Sequence, residues 1–189
     1  MSVLIDEGYL SLEEFKVDFP EPQACGLGFV CINHKDDPDI RWNFYHPDLW
    51  VVKSYHDHRS SFSSKIIKGE LTQQIIAYEK TNKITEWELL ETNCIDSGKI
   101  INNFGYVETC FLVRHSLKKN QVYHLGYTAM HRVQFNKPVV TKMKIDRNAW
   151  FRNNFTIKHT EDKFLCPIND FKKSIDDCWT IVEEVLSYR

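Results

Sequence analysis

Between residues 49 and 145 apolar and polar side chains alternate with the two-residue period of strands, not the 3.6-residue period of helices. The clearest stretch is Tyr123, Leu125, Tyr127, Ala129, His131, Val133 and Phe135, odd positions that one strand would turn to one face. Val139, Thr141, Met143 and Ile145 repeat the pattern against Val140, Lys142 and Lys144, and Asn136-Lys137-Pro138 reads as the turn between the two strands. Upstream, Trp50-Val51-Val52 leading into Tyr55–His58, then Lys65–Lys68, Leu71–Tyr78 and the β-branched, aromatic run Val107–Val113 predict further strands. Short strands with turns every eight to twelve residues or so predict a mainly β sandwich or small barrel.

Two segments follow the helical period instead. Ser11-Leu12-Glu13-Glu14 is a capping-box sequence, opening a short helix that must end before Pro20 and Pro22. Phe171, Ile175, Cys178, Val182 and Val185 recur at steps of four, three, four and three, predicting an amphipathic helix over about 169–188. Asn169 or Asp170 is its expected N-cap, and an open side of the β core is its expected seat.

Composition narrows the class. The chain has 189 residues, 42% hydrophobic and 26% charged, the proportions of a globular chain that buries a core as one domain over 1–189. A net charge of −2 argues against a dedicated nucleic-acid binder. Residues 1–48 carry three basic and ten acidic groups, and residues 132–163 eight basic and three acidic, so these segments are expected to fold against each other. No apolar run approaches the ~20 residues of a membrane span, and Met1–Glu7 lacks the basic start of a secretion signal; a cytoplasmic setting is expected. Cys25, Cys31, Cys94, Cys110, Cys166 and Cys178 are scattered without a C-x-x-C pair and read as mostly buried, reduced thiols.

His56-Asp57-His58 carries the most chemical information. On a strand, residues i and i+2 share a face, so both imidazoles aim at one point while Asp57 points away. His131 interrupts an otherwise apolar row. A hydrogen-bonded core histidine is the plain reading of His131 alone, but paired imidazoles are hard to bury without an ion. Three such nitrogens form a facial site with open positions, suiting one divalent ion such as Fe(II), Mn, Ni or Zn. Arg59 offers a planar fork for a substrate carboxylate or phosphate, although alternation sends it to the face opposite His58, where a solvated role is plainer. Tyr127, in the row of His131, is the candidate catalytic proton donor, with core packing as its alternative; Tyr123 has less claim. Gln73 and Gln74 straddle both faces of their strand, so one amide must point inward, where it would support a metal ligand.

Rival constellations are weaker. His46-Pro47-Asp48 offers a His-x-Asp pair with His131 as a distal ligand, but a proline between ligands suits a turn. His115 and His124 are spare imidazoles, the latter on the face opposite His131. No nucleophile elbow, Walker loop or dinucleotide fingerprint occurs, and Gly26-Leu27-Gly28 is too short for a phosphate cradle.

These residues resemble the two motifs of the cupin superfamily. His56-Asp57-His58 followed by Ser63-Ser64-Lys65-Ile66-Ile67-Lys68-Gly69-Glu70-Leu71 is similar to the first, a His-x-His strand running to a glycine turn. Asn120–Leu125 through Met130-His131-Arg132-Val133 is similar to the second, without its usual proline. The resemblance spans about 49–145 and implies a cupin-type jelly-roll barrel over about 25–145, flanked by a short N-terminal helix and a C-terminal amphipathic helix. Where many cupins place a glutamate ligand stands Phe62, and no carboxylate occurs from Arg59 to Ile67. A three-histidine site of this kind resembles the thiol dioxygenases, although Ser63 is the residue nearest to the cross-linking cysteine of the animal enzymes.

The resemblance implies a non-haem iron dioxygenase acting on a small polar or thiol-containing molecule through His56, His58 and His131. A cupin-fold protein that sequesters a small anionic ligand without turnover is the alternative, and nucleic-acid binding through residues 132–163 is a third, weaker reading. A homodimer paired through sheet edges and the absence of a membrane partner complete the expectations.

Overall fold

Alternation becomes pairing in the computed structural model of the chain, which describes residues 8–9, 11–50, 53–93, 99–146, 154–163 and 171–188. The elements in order are α1 (Leu12–Asp18), β1 (Pro22–Cys25), β2 (Leu27–Asn33), β3 (Ile40–Trp50), β4 (Tyr55–His56), β5 (Ser61–Lys68) and β6 (Glu70–Lys80). They continue with β7 (Trp87–Asn93), β8 (Lys99–Lys118), β9 (Val122–Leu125), β10 (Met130–Gln134), β11 (Val139–Asp146), β12 (Asn154–His159) and α2 (Ile175–Ser187). The protein is mainly β, with two antiparallel sheets and two helices. No helix among the described residues is long and apolar enough to cross a membrane.

One sheet is open, in the order β1-β2-β3-β11-β5-β9; the other closes into a six-stranded barrel, β10-β4-β12-β7-β8-β6. Its interior is a cluster of Tyr55, Ile76, Leu89, Val107, Met130 and Ile157, one residue from each barrel strand. A second cluster lies between the sheets, with Tyr45, Phe62, Ile66, Tyr123, Leu125 and Met143 from the open sheet meeting Leu71 and Leu117 from β6 and β8. On the far face of the open sheet, α1 and α2 bury Phe15, Cys178, Val182 and Val185 against Val30, Ile32, Trp42, Phe44 and Val140. β3 is thus apolar on both faces, as a strand covered on both sides must be.

Several boundaries differ from the sequence reading. The row Tyr123–Phe135 is not one strand: the turn Gly126–Ala129, closed by the Ala129 N–H donating to the Gly126 carbonyl at 3.0 Å, breaks it. β9 pairs with β5 in the open sheet and β10 with β4 and β6 in the barrel, so the chain changes sheets at that turn. β12 lies beyond the expected barrel limit of residue 145 and pairs with β4 and β7. α2 begins later than expected, with Ser174 as N-cap and Asp177 completing the capping box; Asn169 and Asp170 lie outside the described residues. Ile175 is 55% exposed, and Phe171 precedes the helix while still packing on its core. Val51, Val52, Cys94 and Cys166 also lie outside the described residues; Cys25 and Cys178 are buried, Cys31 half-buried and Cys110 exposed. The acidic and basic segments do meet, as β3 beside β11.

Candidate metal centre

Each histidine is placed by the strand pairing around it. His56 ends β4, where it faces His131 of β10 across one ladder and Thr156 of β12 across the other. Regular pairing stops there, so His58 lies just past the strand. Its direction is held instead by its N–H, which donates to the Tyr127 carbonyl at 3.3 Å. Asp57 points away, as alternation requires: its Oδ1 accepts from the Phe155 N–H at 2.8 Å, and its own N–H donates to the Phe155 carbonyl at 3.1 Å. Asn154 adds a third tie, Nδ2 donating to the Asp57 carbonyl at 3.0 Å. The His-Asp-His segment is therefore stitched to β12 on one side and to the β9–β10 turn on the other.

The three rings converge. Their centroids stand 5.0 Å apart for His56–His58 and 4.9 Å for both His56–His131 and His58–His131, and one ligand atom from each lies within 4.8 Å of the others. His58 Nε2 and His131 Nε2 approach to 2.7 Å, while His131 Nδ1 is buried without a hydrogen-bond partner among the described residues. Burial pushes His56 down to about 4, and burial followed by the neighbouring His56 holds His131 well below the ordinary imidazole value. Neutral rings are what a metal site needs, because a protonated nitrogen has no lone pair to give. Nitrogens bound to one ion at about 2.1 Å stand roughly 3 Å apart, a spacing the His58–His131 pair already approaches, while the His56 nitrogen, within 4.8 Å of both, closes in to complete the donor set for a divalent ion.

Phe62 packs edge-on against His58 at 4.7 Å between ring centroids. An apolar ring there shields one side of the centre and adds no carboxylate to the three imidazoles. The rival His46 lies elsewhere: it is on β3, with Nε2 3.8 Å from Glu184 Oε2 of α2, on the helix-covered side of the open sheet. His124 is exposed and shares a 2.7 Å contact with Ser63 Oγ, and His115 sits on β8 opposite Gln73.

Two expected site residues are placed differently. Tyr127 does not share a strand face with His131, because the β9–β10 turn intervenes; its side chain is 40% exposed, and its backbone carbonyl is what reaches the site by gripping His58. Arg59 is half-buried and its Nε donates to Asn154 Oδ1 at 3.3 Å, so it joins the tether around Asp57. Of the two glutamines both are buried, on opposite faces of β6. Gln74 turns toward Tyr55, accepting from its hydroxyl at 3.2 Å. Gln73 faces the space between the sheets, and its Nε2 has no hydrogen-bond partner among the described residues.

Sequence reasoning missed Asn43 and Thr141, which are fully buried and joined by a 3.1 Å bond from Asn43 Nδ2 to Thr141 Oγ1. They sit side by side on β3 and β11, on the face that looks toward the second cluster. In the sequence Asn43 stands between Trp42 and Phe44, the alternation of a solvent-facing residue; only the helices over the other face reverse that reading.

No protein family matches the chain by sequence, and neither does any curated protein. Among solved structures it is similar to Drosophila melanogaster CENP-C bound to CAL1, at 9% identity over 62% of this chain and 70% of that one, with a TM-score of 0.37. Hydroxypropylphosphonic acid epoxidase from S. wedmorenis gives 9% identity over 61% of this chain and 49% of its own, with a TM-score of 0.31. Hydroquinone 1,2-dioxygenase from Sphingomonas sp. TTNP3 with 4-hydroxybenzoate bound gives 12% identity over 68% and 67%, with a TM-score of 0.32. Likenesses this distant carry no argument about chemistry.

Proposed function

We propose that the protein is a metal-dependent cupin holding one divalent ion, Fe(II) foremost, through His56, His58 and His131, and that it is a dioxygenase of a small polar or thiol-containing molecule. The observation that carries this reading is the convergence of three imidazoles from β4, the segment after it and β10 within 4.8 Å. A ferrous ion held by His56, His58 and His131 would supply the redox chemistry that activates dioxygen toward a bound substrate. The chain's own residues do the rest. Asp57 and Asn154 fix the aim of His58, and Phe62 excludes water beside it. Gln73 offers a buried amide to a polar substrate group in the space between the sheets, with Asn43 and Thr141 on the facing sheet.

A second reading, an anion-binding protein without turnover, is favoured by one observation. A cavity of about 870 Å³ at the other end of the strands is lined by Lys68, Lys118, Lys119 and Lys137 against the single carboxylate of Glu70. Elemental analysis of full-length protein purified without chelator, with oxygen uptake on a panel of small thiols, separates the two. The dioxygenase reading expects about one metal per chain, with metal and uptake lost together in His58→Ala. Metal-free protein that binds tripolyphosphate as tightly after His58→Ala as before it would overturn that reading in favour of the anion binder.

A further inference from the structure

Phe111, Leu112 and Val113 form the only run of three consecutive exposed large apolar residues among those described, at 66%, 62% and 40% exposure. They lie on β8, a strand of 20 residues used in two halves: Lys99–Tyr106 pairs with β7 and Val107–Lys118 with β6. Along the second half, no described strand pairs with the side of β8 away from β6. The Thr85 hydroxyl reaches the Val107 carbonyl at 2.7 Å, and the uncovered stretch begins after it. Edge strands of soluble proteins are ordinarily blunted by lysine, by proline or by a bulge that breaks the ladder. Glu108–Arg114 contains neither lysine nor proline. The register shift between Ile75 and Ile76 leaves Leu112 unmatched on β6, a bulge that turns adjacent side chains outward and interrupts any continued ladder.

We infer that this edge is the contact between two copies of the chain, laid antiparallel across a twofold axis at Phe111. The sequence of the edge is self-complementary in that arrangement. Phe111 meets its own copy, Cys110 stands opposite Leu112 and Thr109 opposite Val113, and Glu108 falls opposite Arg114 twice, once on each side of the axis. A twofold contact must be complementary to itself, and Glu108-Thr109-Cys110-Phe111-Leu112-Val113-Arg114 carries an apolar centre between opposite charges placed equally far from it. Glu108 lies 3.7 Å from Lys83 in the single chain, with both side chains exposed, a pairing too weak to hold it from a better partner. The contact joins side-chain ridges, because the bulge prevents one sheet from running into the other. It lies on the barrel and uses none of the three histidines, so its failure would leave the metal reading untouched.

Sedimentation velocity of the full chain over a concentration series reads the contact. The expected result is a dimer that becomes monomeric in Phe111→Glu and in Leu112→Glu, with unchanged circular dichroism. Glu108→Arg places like charges opposite each other twice and weakens the dimer about tenfold, and adding Arg114→Glu restores it. A short bis-maleimide joins two copies of Cys110→Ser/Phe111→Cys but not of Cys110→Ser/Val122→Cys, Val122 being exposed on the open sheet. A monomer at every concentration overturns the inference. So does a dimer indifferent to both glutamate variants, or one in which the charge exchange fails to restore what Glu108→Arg removed.

Discussion

Gln74 shows how much one buried side chain can organise. Its Oε1 accepts from the Tyr55 hydroxyl at 3.2 Å and from Arg132 Nε at 2.8 Å, and its Nε2 donates to Gln134 Oε1 at 2.9 Å. The Arg132 guanidinium in turn lies 4.5 Å over the Tyr55 ring, one turn of chemistry away from His56. Gln74→Leu keeps the volume but leaves a phenol and a guanidinium without their acceptor. The expected cost is about 1–3 kcal/mol, read as a lower urea midpoint with the slope unchanged. An equal midpoint would show that water replaces the amide. The metal candidates were legible at this scale, since the spacing of His56 and His58 and the apolar setting of His131 survive in the folded chain as a converged triad. The neighbours were not. Asn43 drew no reading, because alternation reports only that two faces differ, never which of them water touches.

Among the elements, the turn that ends a strand mattered more than the strand. Seven alternating positions from Tyr123 to Phe135 read as one strand because a turn of Gly126, Tyr127, Thr128 and Ala129 preserves the parity of the row while moving it to another sheet. The odd row stays buried on both sides of the turn, with Tyr123, Leu125, His131 and Phe135, so its periodicity alone could not reveal the break, and Tyr127 was placed on a face it does not share. β7 escaped for the opposite reason: in Trp87-Glu88-Leu89-Leu90-Glu91-Thr92-Asn93 the adjacent leucines spoil the alternation, each being buried on its own side of the barrel wall. The glycine turn of the first motif was read correctly, and its cause is steric. Gly69 has φ +79°, and a Cβ there would come within 2.6 Å of the Pro138 carbonyl oxygen. Gly69→Ala should lower stability by about 1–3 kcal/mol in thermal melts, through the left-handed backbone and the collision with the β10–β11 turn together. A melt indistinguishable from the parent would mean that the two turns can separate without loss.

For the molecule as a whole, phenols make the alkaline limit. The Tyr9 hydroxyl is pushed up to about 12, by burial first and then by its 3.0 Å hydrogen bond to Asp18; burial raises Tyr45, Tyr55 and Tyr123 as well. Unfolded tyrosines titrate near 10. Above that value the unfolded chain releases protons that the folded chain retains, so the stability these groups contribute is full below pH ~10 and falls as pH rises toward 12. Denaturant midpoints should therefore drop steeply across that window, and less steeply in Tyr9→Phe. A flat profile would show that these phenols ionise without unfolding.

β6 gives the assembly its last property. Leu71 and Ile75 belong to the core between the sheets, while Ile76 belongs to the core inside the barrel, so one strand is the common wall of two compartments. Neither compartment can be dismantled while the other stands, and they must melt as one unit. Mutations along this wall are felt on both sides at once.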